Sequence, residues 1–215
     1  MSDGVHRYEG RRLVVFWDEK RCLHAGRCVQ GSATAFDPAR RPWVDPDALP
    51  PRLLAEVIQS CPTGALWYQS KTPDGPSEAP PPHTVVTVVP DGPLYVHGPV
   101  TIEGVTPRGP GTRVALCRCG QSKNKPLCDG AHTEAGFTDP GLFEGEEIHE
   151  AEAGPCKITV MPDGPLILRG WVEVREEGAE GDHRRVFDQV SLCRCGASKN
   201  KPFCDGGHNK IDFRG

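Results

Sequence analysis

The sequence predicts an α+β chain: a small mixed N-terminal domain followed by a duplicated, β-rich unit. Three observations carry that prediction. First, Val86-Thr87-Val88-Val89-Pro90-Asp91-Gly92-Pro93-Leu94 returns 72 residues later as Ile158-Thr159-Val160-Met161-Pro162-Asp163-Gly164-Pro165-Leu166. Cys117-Arg118-Cys119-Gly120 returns 76 residues later as Cys193-Arg194-Cys195-Gly196. Two copies at such a period are a duplicated domain and not a solenoid. Second, each copy opens with β-branched, alternating runs broken by Pro-Asp-Gly-Pro, the pattern of strand, turn and strand. Third, the Pro-rich run from Ser70 to Pro82 favours extended backbone without a packed core, so it sets the N-terminal segment apart. The expected divisions are residues 1–69, a linker at 70–83, a first repeat at 84–140 and a second at 141–215.

The elements follow in order. Leu13 to Trp17 reads as a strand, and Asp47 to Ser60 has helical spacing at Leu49, Leu53, Leu54, Val57 and Ile58. Ala65 to Tyr68 reads as a closing strand. In each repeat a third strand, Arg113 to Leu116 or Arg185 to Leu192, leads into the first cysteine. Phe137 and Phe213 keep the later offset, so the second copy has gained four residues, placed in Glu176 to Asp182.

Composition narrows the function classes. The chain of 215 residues has 25 Gly and 22 Pro, above the average usage of about 7% and 5%. The apolar core is therefore lean, and small lean domains rely on staples such as metals or disulfides. No stretch nears the ~18 apolar residues of a membrane span, and Met1 to Tyr8 has no apolar signal core. The expectation is a cytoplasmic chain without membrane association, where disulfides are rare and ten cysteines read as metal ligands. A net charge of −4 and a pI near 6.1 argue against nucleic acid as a partner. No P-loop, dinucleotide fingerprint, Ser/His/Asp pattern or paired-carboxylate spacing supports catalysis, so the chain is not expected to be an enzyme.

Nine cysteines fall into three sets. Cys117, Cys119, Cys128 and His132 form the first, and Cys193, Cys195, Cys204 and His208 the second; both read C-x-C-x8-C-x3-H. Three thiolates and an imidazole suit zinc or iron–sulfur chemistry. A C-x-C pair is tight for one tetrahedral zinc and suits one iron of a two-iron cluster, with the distant Cys and His on the other; zinc stays open on spacing alone. Asp129 or Asp205, preceding Gly, suits a helix N-cap. The following turn then brings the third Cys and the His together.

The pattern C-x-C-x2-[S/T]-x3-P-x-C-D-G-[S/A/T]-H resembles that of the CDGSH iron–sulfur proteins, the mitoNEET-like family. The first set matches at Ser122, Pro126, Asp129, Gly130 and Ala131; the second departs only at Gly207, in the small-residue slot. The resemblance implies a [2Fe–2S] cluster at each set, held by three Cys and one His. Single-motif members resemble homodimers of intertwined strands, so this chain looks like that dimer fused, a monomer with an internal pseudo-two-fold. The histidine ligand implies acid sensitivity, because imidazolium cannot ligate.

The third set is Cys22, Cys28 and Cys61, in Cys22-Leu23-His24-Ala25-Gly26-Arg27-Cys28 and Cys61-Pro62-Thr63-Gly64. It resembles a divergent single-cluster bacterial ferredoxin, C-x2-C-x2-C with a remote Cys-Pro. Ala25 takes the second ligand position and cannot bind iron. Three cysteines suit a [3Fe–4S] cluster, or a [4Fe–4S] cluster with another ligand on the fourth iron, for which His24 is the local candidate. A degenerate site that holds nothing is the alternative.

Cys156 is left over, and its repeat equivalent is Thr84; it reads as a packing residue. His6, His83, His97, His149 and His183 read as surface or capping groups, and Trp43, Trp67 and Trp171 as packing. Lys123, Lys125, Lys199 and Lys201 read as solvated or as a docking face for an acidic redox partner. Glu144 to Glu152 reads as a solvated acidic loop. The expected function is one-electron transfer with redox partner proteins. A cluster or iron carrier serving apo iron–sulfur acceptors, a redox or pH sensor, and a structural zinc scaffold are the rivals.

Overall fold

The structure is a computed structural model that describes residues 4–144, 150–178 and 183–215. Residues 179–182 of the expected insertion lie outside the described residues, as do 145–149 of the acidic loop, including His149. Two compact units are present: residues 1–79 with 108–110, and residues 80–107 with 111–215.

In the first unit β1 (Val5–Glu9), β2 (Leu13–Asp18) and β3 (Leu66–Ser70) form an antiparallel sheet in that order. Val15 lies opposite both Tyr8 and Tyr68. Alternation turns Leu13 and Val15 into the core with Leu66 and Tyr68. A short helix α1 (Arg27–Gly31) precedes α2 (Pro51–Gln59), which buries Leu54, Ala55 and Ile58. The helix is shorter than the periodicity predicts. Pro50 and Pro51 hold the residues before them out of helical backbone, so the helix starts at Pro51, where a missing N–H costs nothing. Leu49 therefore packs from the preceding loop, and Leu53 faces solvent at 49% exposure.

The second unit holds β4 (Thr84–Val88), β5 (Leu94–His97), β6 (Val100–Ile102), β7 (Arg113–Leu116), the one-turn helix α3 (Ala131–Glu134), β8 (Cys156–Val160), β9 (Leu166–Glu176) and β10 (Arg184–Leu192). A 3₁₀ turn, Gly207–Lys210, stands where α3 stands in the first copy. The sheet order is β6-β8-β9-β4-β5-β7, with β10 also paired to β9. Both Pro-Asp-Gly-Pro segments are tight turns: Gly92 N–H donates to Val89 O (3.1 Å) and Gly164 N–H to Met161 O (3.0 Å).

The two copies are joined by exchange of strands. β6 of the first copy runs parallel to β8 of the second, with Val100 opposite Cys156 and Ile102 opposite Ile158. The later half of β9 runs parallel to β4, with Thr84 opposite Val172 and Val88 opposite Glu176. What are two strands in the first copy, β5 and β6, are one continuous strand in the second. The core is accordingly common to both copies, with Val86, Val88 and Leu94 packed against Ile158, Leu168 and Val174. Cys156 is part of it at 1% exposure. Burial pushes its thiol up to about 11, against a hydrogen bond with Thr84, its repeat equivalent. No described helix is long and apolar enough to cross a membrane.

Because Leu168 is fully buried in the common core, Leu168→Ala should cost about 2–5 kcal/mol. Urea denaturation followed by circular dichroism should give a lower midpoint to match.

Candidate metal centres

β7 delivers Cys117 and Cys119, and the loop after them folds back on the strand. Cys117 N–H donates to Pro126 O and Cys128 N–H to Ala115 O, both at 2.9 Å. Inside the loop Ser122 Oγ donates to Leu127 O (2.6 Å) and accepts from Asn124 N–H (3.0 Å). The Asp129 carboxylate accepts from Lys123 N–H (2.7 Å) and Ala131 N–H (3.1 Å). Partial burial disfavours its charge, but these backbone donors win and hold the carboxyl below its usual range. The N-cap position itself is Gly130, in the left-handed region at φ 89°, so Asp129 caps α3 from one residue earlier than expected. The sterically free glycine makes the sharp entry, and the carboxylate still satisfies a first-turn N–H.

The second centre repeats this frame. Cys193 N–H donates to Pro202 O (2.8 Å) and Cys204 N–H to Ser191 O (2.9 Å). Ser198 Oγ donates to Phe203 O (2.7 Å), and Asp205 accepts from Lys199 N–H (2.9 Å) and Gly207 N–H (2.8 Å). Gly207 is close-packed: a Cβ there would stand 3.0 Å from Ala197 O.

Each centre holds its donors as two pairs. Cys117 Sγ and Cys119 Sγ are 3.7 Å apart, and Cys193 Sγ and Cys195 Sγ 3.8 Å. Cys128 Sγ to His132 Nδ1 and Cys204 Sγ to His208 Nδ1 are both 3.5 Å. A tetrahedral metal with bonds of about 2.3 Å to sulfur and 2.0–2.1 Å to nitrogen sets sulfurs about 3.8 Å apart and sulfur and nitrogen about 3.6 Å apart. Each pair is thus spaced to bind its own tetrahedral metal atom, with Nδ1 as the imidazole donor. Among the described residues no three His, Cys, Asp or Glu side chains close on one ion.

Thiol acidity within the first centre is uneven. Cys117 is lowered to about 6 by a hydrogen bond from Cys119, whose own thiol is pushed up by that bond and by burial. Burial also raises Cys128, to about 11. Cys195 is raised, by burial first. His132 is lowered by burial and by the Arg118 charge, against Asp129, which keeps the ring neutral and able to ligate.

A residue that sequence reasoning passed over anchors each centre. Arg118, between the paired cysteines, is 1% exposed. Its Nε donates to Gly92 O (2.8 Å), one Nη to Val89 O (2.5 Å), and the other pairs with Asp139. Its guanidinium also covers the Phe137 ring at 5.1 Å. Arg194 makes the equivalent bonds to Gly164 O (3.0 Å), Met161 O (2.7 Å) and Gly215 O (2.7 Å), over Phe213. The available signal was an Arg repeated inside both C-x-C pairs.

The centres also touch. Cys119 and Cys195 form an antiparallel bridge. Gly120 (φ 82°) and Gly196 (φ 81°) follow them in the left-handed region. A Cβ on either would sit 2.6 or 2.7 Å from the other centre's cysteine carbonyl. Of the four loop lysines, Lys123 and Lys199 are exposed. Lys125 and Lys201 instead turn Nζ inward to Ser122 O (2.8 Å) and Ser198 O (2.6 Å), so half of the expected docking charge is structural.

In the first unit Cys22, Cys28 and Cys61 are half-buried and line one cavity of about 630 Å³ with His24 and Ala25. Burial raises the Cys28 thiol, and Cys61 and Cys22 raise it further. Cys61 follows α2, its N–H donating to Ile58 O (3.1 Å). Thr63 Oγ1 then accepts from Ala65 N–H (3.2 Å) to shape the Cys-Pro-Thr-Gly turn. His6, Tyr8, Trp17 and Trp43 also line the cavity, and His6 and Tyr8 were not foreseen, because β1 lacks an alternating pattern. His6 stacks on Trp17 and pairs with Glu19. His83 is likewise no surface group; it is half-buried, 3.7 Å from the buried Glu173.

Comparison with known proteins divides the chain in the same way. Residues 8–71 match the family model described as a divergent 4Fe–4S mono-cluster. Residues 91–133 and 163–209 each match the model described as an iron-binding zinc finger of CDGSH type. Over 72 residues the chain is 39% identical to the uncharacterized protein YjdI of Escherichia coli K12, and equally to YjdI of Escherichia coli O157:H7. The match spans 95% of each relative and 33% of this chain. No solved structure matches.

Replacing Arg118 by Met would strand two carbonyls and the Asp139 carboxylate. Arg118→Met should therefore cost about 3–5 kcal/mol, whereas Lys123→Met in the same loop should move stability by less than about 0.5 kcal/mol. Denaturation midpoints of the two variants give the comparison.

Proposed function

On the premise that the chain belongs to the CDGSH iron-binding family and, in its N-terminal segment, to the divergent 4Fe–4S mono-cluster family, we propose that it is a one-electron carrier. It would hold two [2Fe–2S] clusters and one ferredoxin-type cluster. The observation that carries this reading is the twin-pair spacing: two donors at 3.7–3.8 Å and two at 3.5 Å in each Cys3His set. Cys117 and Cys119 would hold one iron and Cys128 with His132 the other; Cys193, Cys195, Cys204 and His208 would do the same in the second copy. Cys22, Cys28 and Cys61 would hold the N-terminal cluster. Bound clusters supply reversible one-electron chemistry.

The chain's own contribution is geometry, charge and access. Arg118 and Arg194 fix the C-x-C segments, and the close-packed Gly120 and Gly196 join the two centres. Neutral imidazole in place of a thiolate removes one negative charge and raises the reduction potential. Reciprocal strand exchange supports the further reading of residues 84–215 as a fused, pseudo-two-fold dimer. The partners would be cytoplasmic redox proteins, and no substrate would be transformed.

A second reading, delivery of clusters to apo-proteins, is favoured by one observation. Cys117, Cys119, Cys193 and Cys195 are buried, whereas His132 and His208 stand half-exposed, so each centre opens on its imidazole side.

The isolated protein should be coloured, and its two Cys3His sets should account for about four irons and four acid-labile sulfides. A colourless, zinc-loaded chain would sink the reading. Stable cycling between dithionite and air supports the carrier of electrons; transfer of intact cluster to an apo-ferredoxin supports delivery. Acid should bleach the clusters. Folding disfavours imidazolium at His132, so its contribution is intact above the ordinary value of 6.5 and lost as pH falls through that value toward the lowered one. His132→Cys with His208→Cys should move the bleaching midpoint down by about one pH unit or more. An unchanged midpoint would exclude the histidines as the acid-sensitive ligands.

A further inference from the structure

Resting on the reading that the first unit holds a cluster, we propose that His24 is a protein ligand to it. The site is then a Cys3His four-iron centre and not a three-iron one. This reverses the preference that three cysteines alone suggest.

The argument is one of elimination among the cavity's own donors. Among the described residues its lining contains three cysteines but no Asp, no Glu and no fourth cysteine. Ala25, in the position where a second cysteine would stand, has only a methyl. The remaining polar side chains able to ligate are those of His6, Tyr8, Thr63 and His24. His6 is committed: Nε2 pairs with Glu19 at 3.1 Å, and its ring stacks on Trp17 at 5.1 Å. Tyr8 is kept as a neutral phenol by burial, with Trp43 as its hydrogen-bond neighbour, and a neutral phenol is a poor iron ligand. Thr63 is buried, with its hydroxyl accepting from Ala65 N–H. His24 has no hydrogen bond or ion pair among the described residues and is exposed at the cavity wall.

The backbone agrees. His24 adopts φ 53°, one of only four non-glycine residues described in the left-handed region. Asp91 and Asp163, two of the others, sit in the Pro-Asp-Gly-Pro turns, and Asp residues tolerate that region well. Histidine, with Asn and Asp, is found there more often than most residues, so the conformation serves to turn the chain at His24, two residues after Cys22 and four before Cys28. Imidazole nitrogen is a competent iron ligand, as the two CDGSH centres presuppose.

The test compares the full-length holoprotein, purified without oxygen, with His24→Ala and His24→Cys. Wild type should carry about eight irons per chain and, when gently oxidised, show no spin-half signal of a three-iron cluster. His24→Ala should lose about one iron and gain that signal, while the [2Fe–2S] signals of the reduced protein stay unchanged. His24→Cys should keep the four-iron state at a lower potential, because thiolate replaces imidazole. Nitrogen hyperfine coupling on the reduced four-iron centre should be present in wild type and absent from His24→Cys. A three-iron signal in wild type, or four-iron nitrogen coupling that survives in His24→Cys, overturns the assignment of His24. About four irons in wild type with no third cluster signal overturns instead the reading on which it rests.

Discussion

The interaction on which the rest of the second unit depends is the burial of one guanidinium inside each Cys-Arg-Cys segment. Arg118 and Arg194 are almost fully enclosed. Each reaches back 26 and 30 residues respectively to a carbonyl of its own Pro-Asp-Gly-Pro turn. A buried cation with fixed donors tolerates little displacement, because any lost partner leaves charge or a carbonyl unsatisfied. Everything on the metal side follows from that rigidity. The turn is locked to the C-x-C pair, the pair is held at a tetrahedral bite, and the following glycine lies against the other copy.

Much of this was legible, and the boundary between legible and hidden is physical. β2, α2 and β3 declare themselves through local periodicity, and so do β4, β5, β7 and β10. The donor pairs are local too, since cysteines two residues apart and a cysteine and histidine four apart meet within one turn or hairpin. What stayed hidden depends on distant partners. β6 has three residues and exists because β8 receives it. β9 continues through Gly170 because β4 of the other copy pairs with its later half. The roles of Arg118 and Arg194 lie in carbonyls far along the chain, and His6 and Tyr8 of the first unit's cavity belong to a strand with no apolar alternation. α2 failed at its start for another reason: periodicity counts side chains, while the two prolines restrict backbone.

The unequal thiols bear on how such centres fill. At neutral pH the raised Cys119 and Cys128 are protonated, so metal entry must expel protons, and affinity grows as pH rises. Cys117 is the exception, lowered by its hydrogen bond with Cys119. The imidazoles of His132 and His208 stand nearer to solvent than the buried C-x-C thiols.

Strand exchange has a consequence for descent as well as for stability. Either copy alone would expose the edge its neighbour covers, so neither can be discarded without leaving an unpaired strand. Yet two copies written separately in one gene need not stay alike, as identical subunits must. Ala131 against Gly207, a turn of α-helix against a 3₁₀ turn, and two strands against one unbroken strand are differences of that kind. Bound together for life but inherited as different text, the two halves are free to specialise.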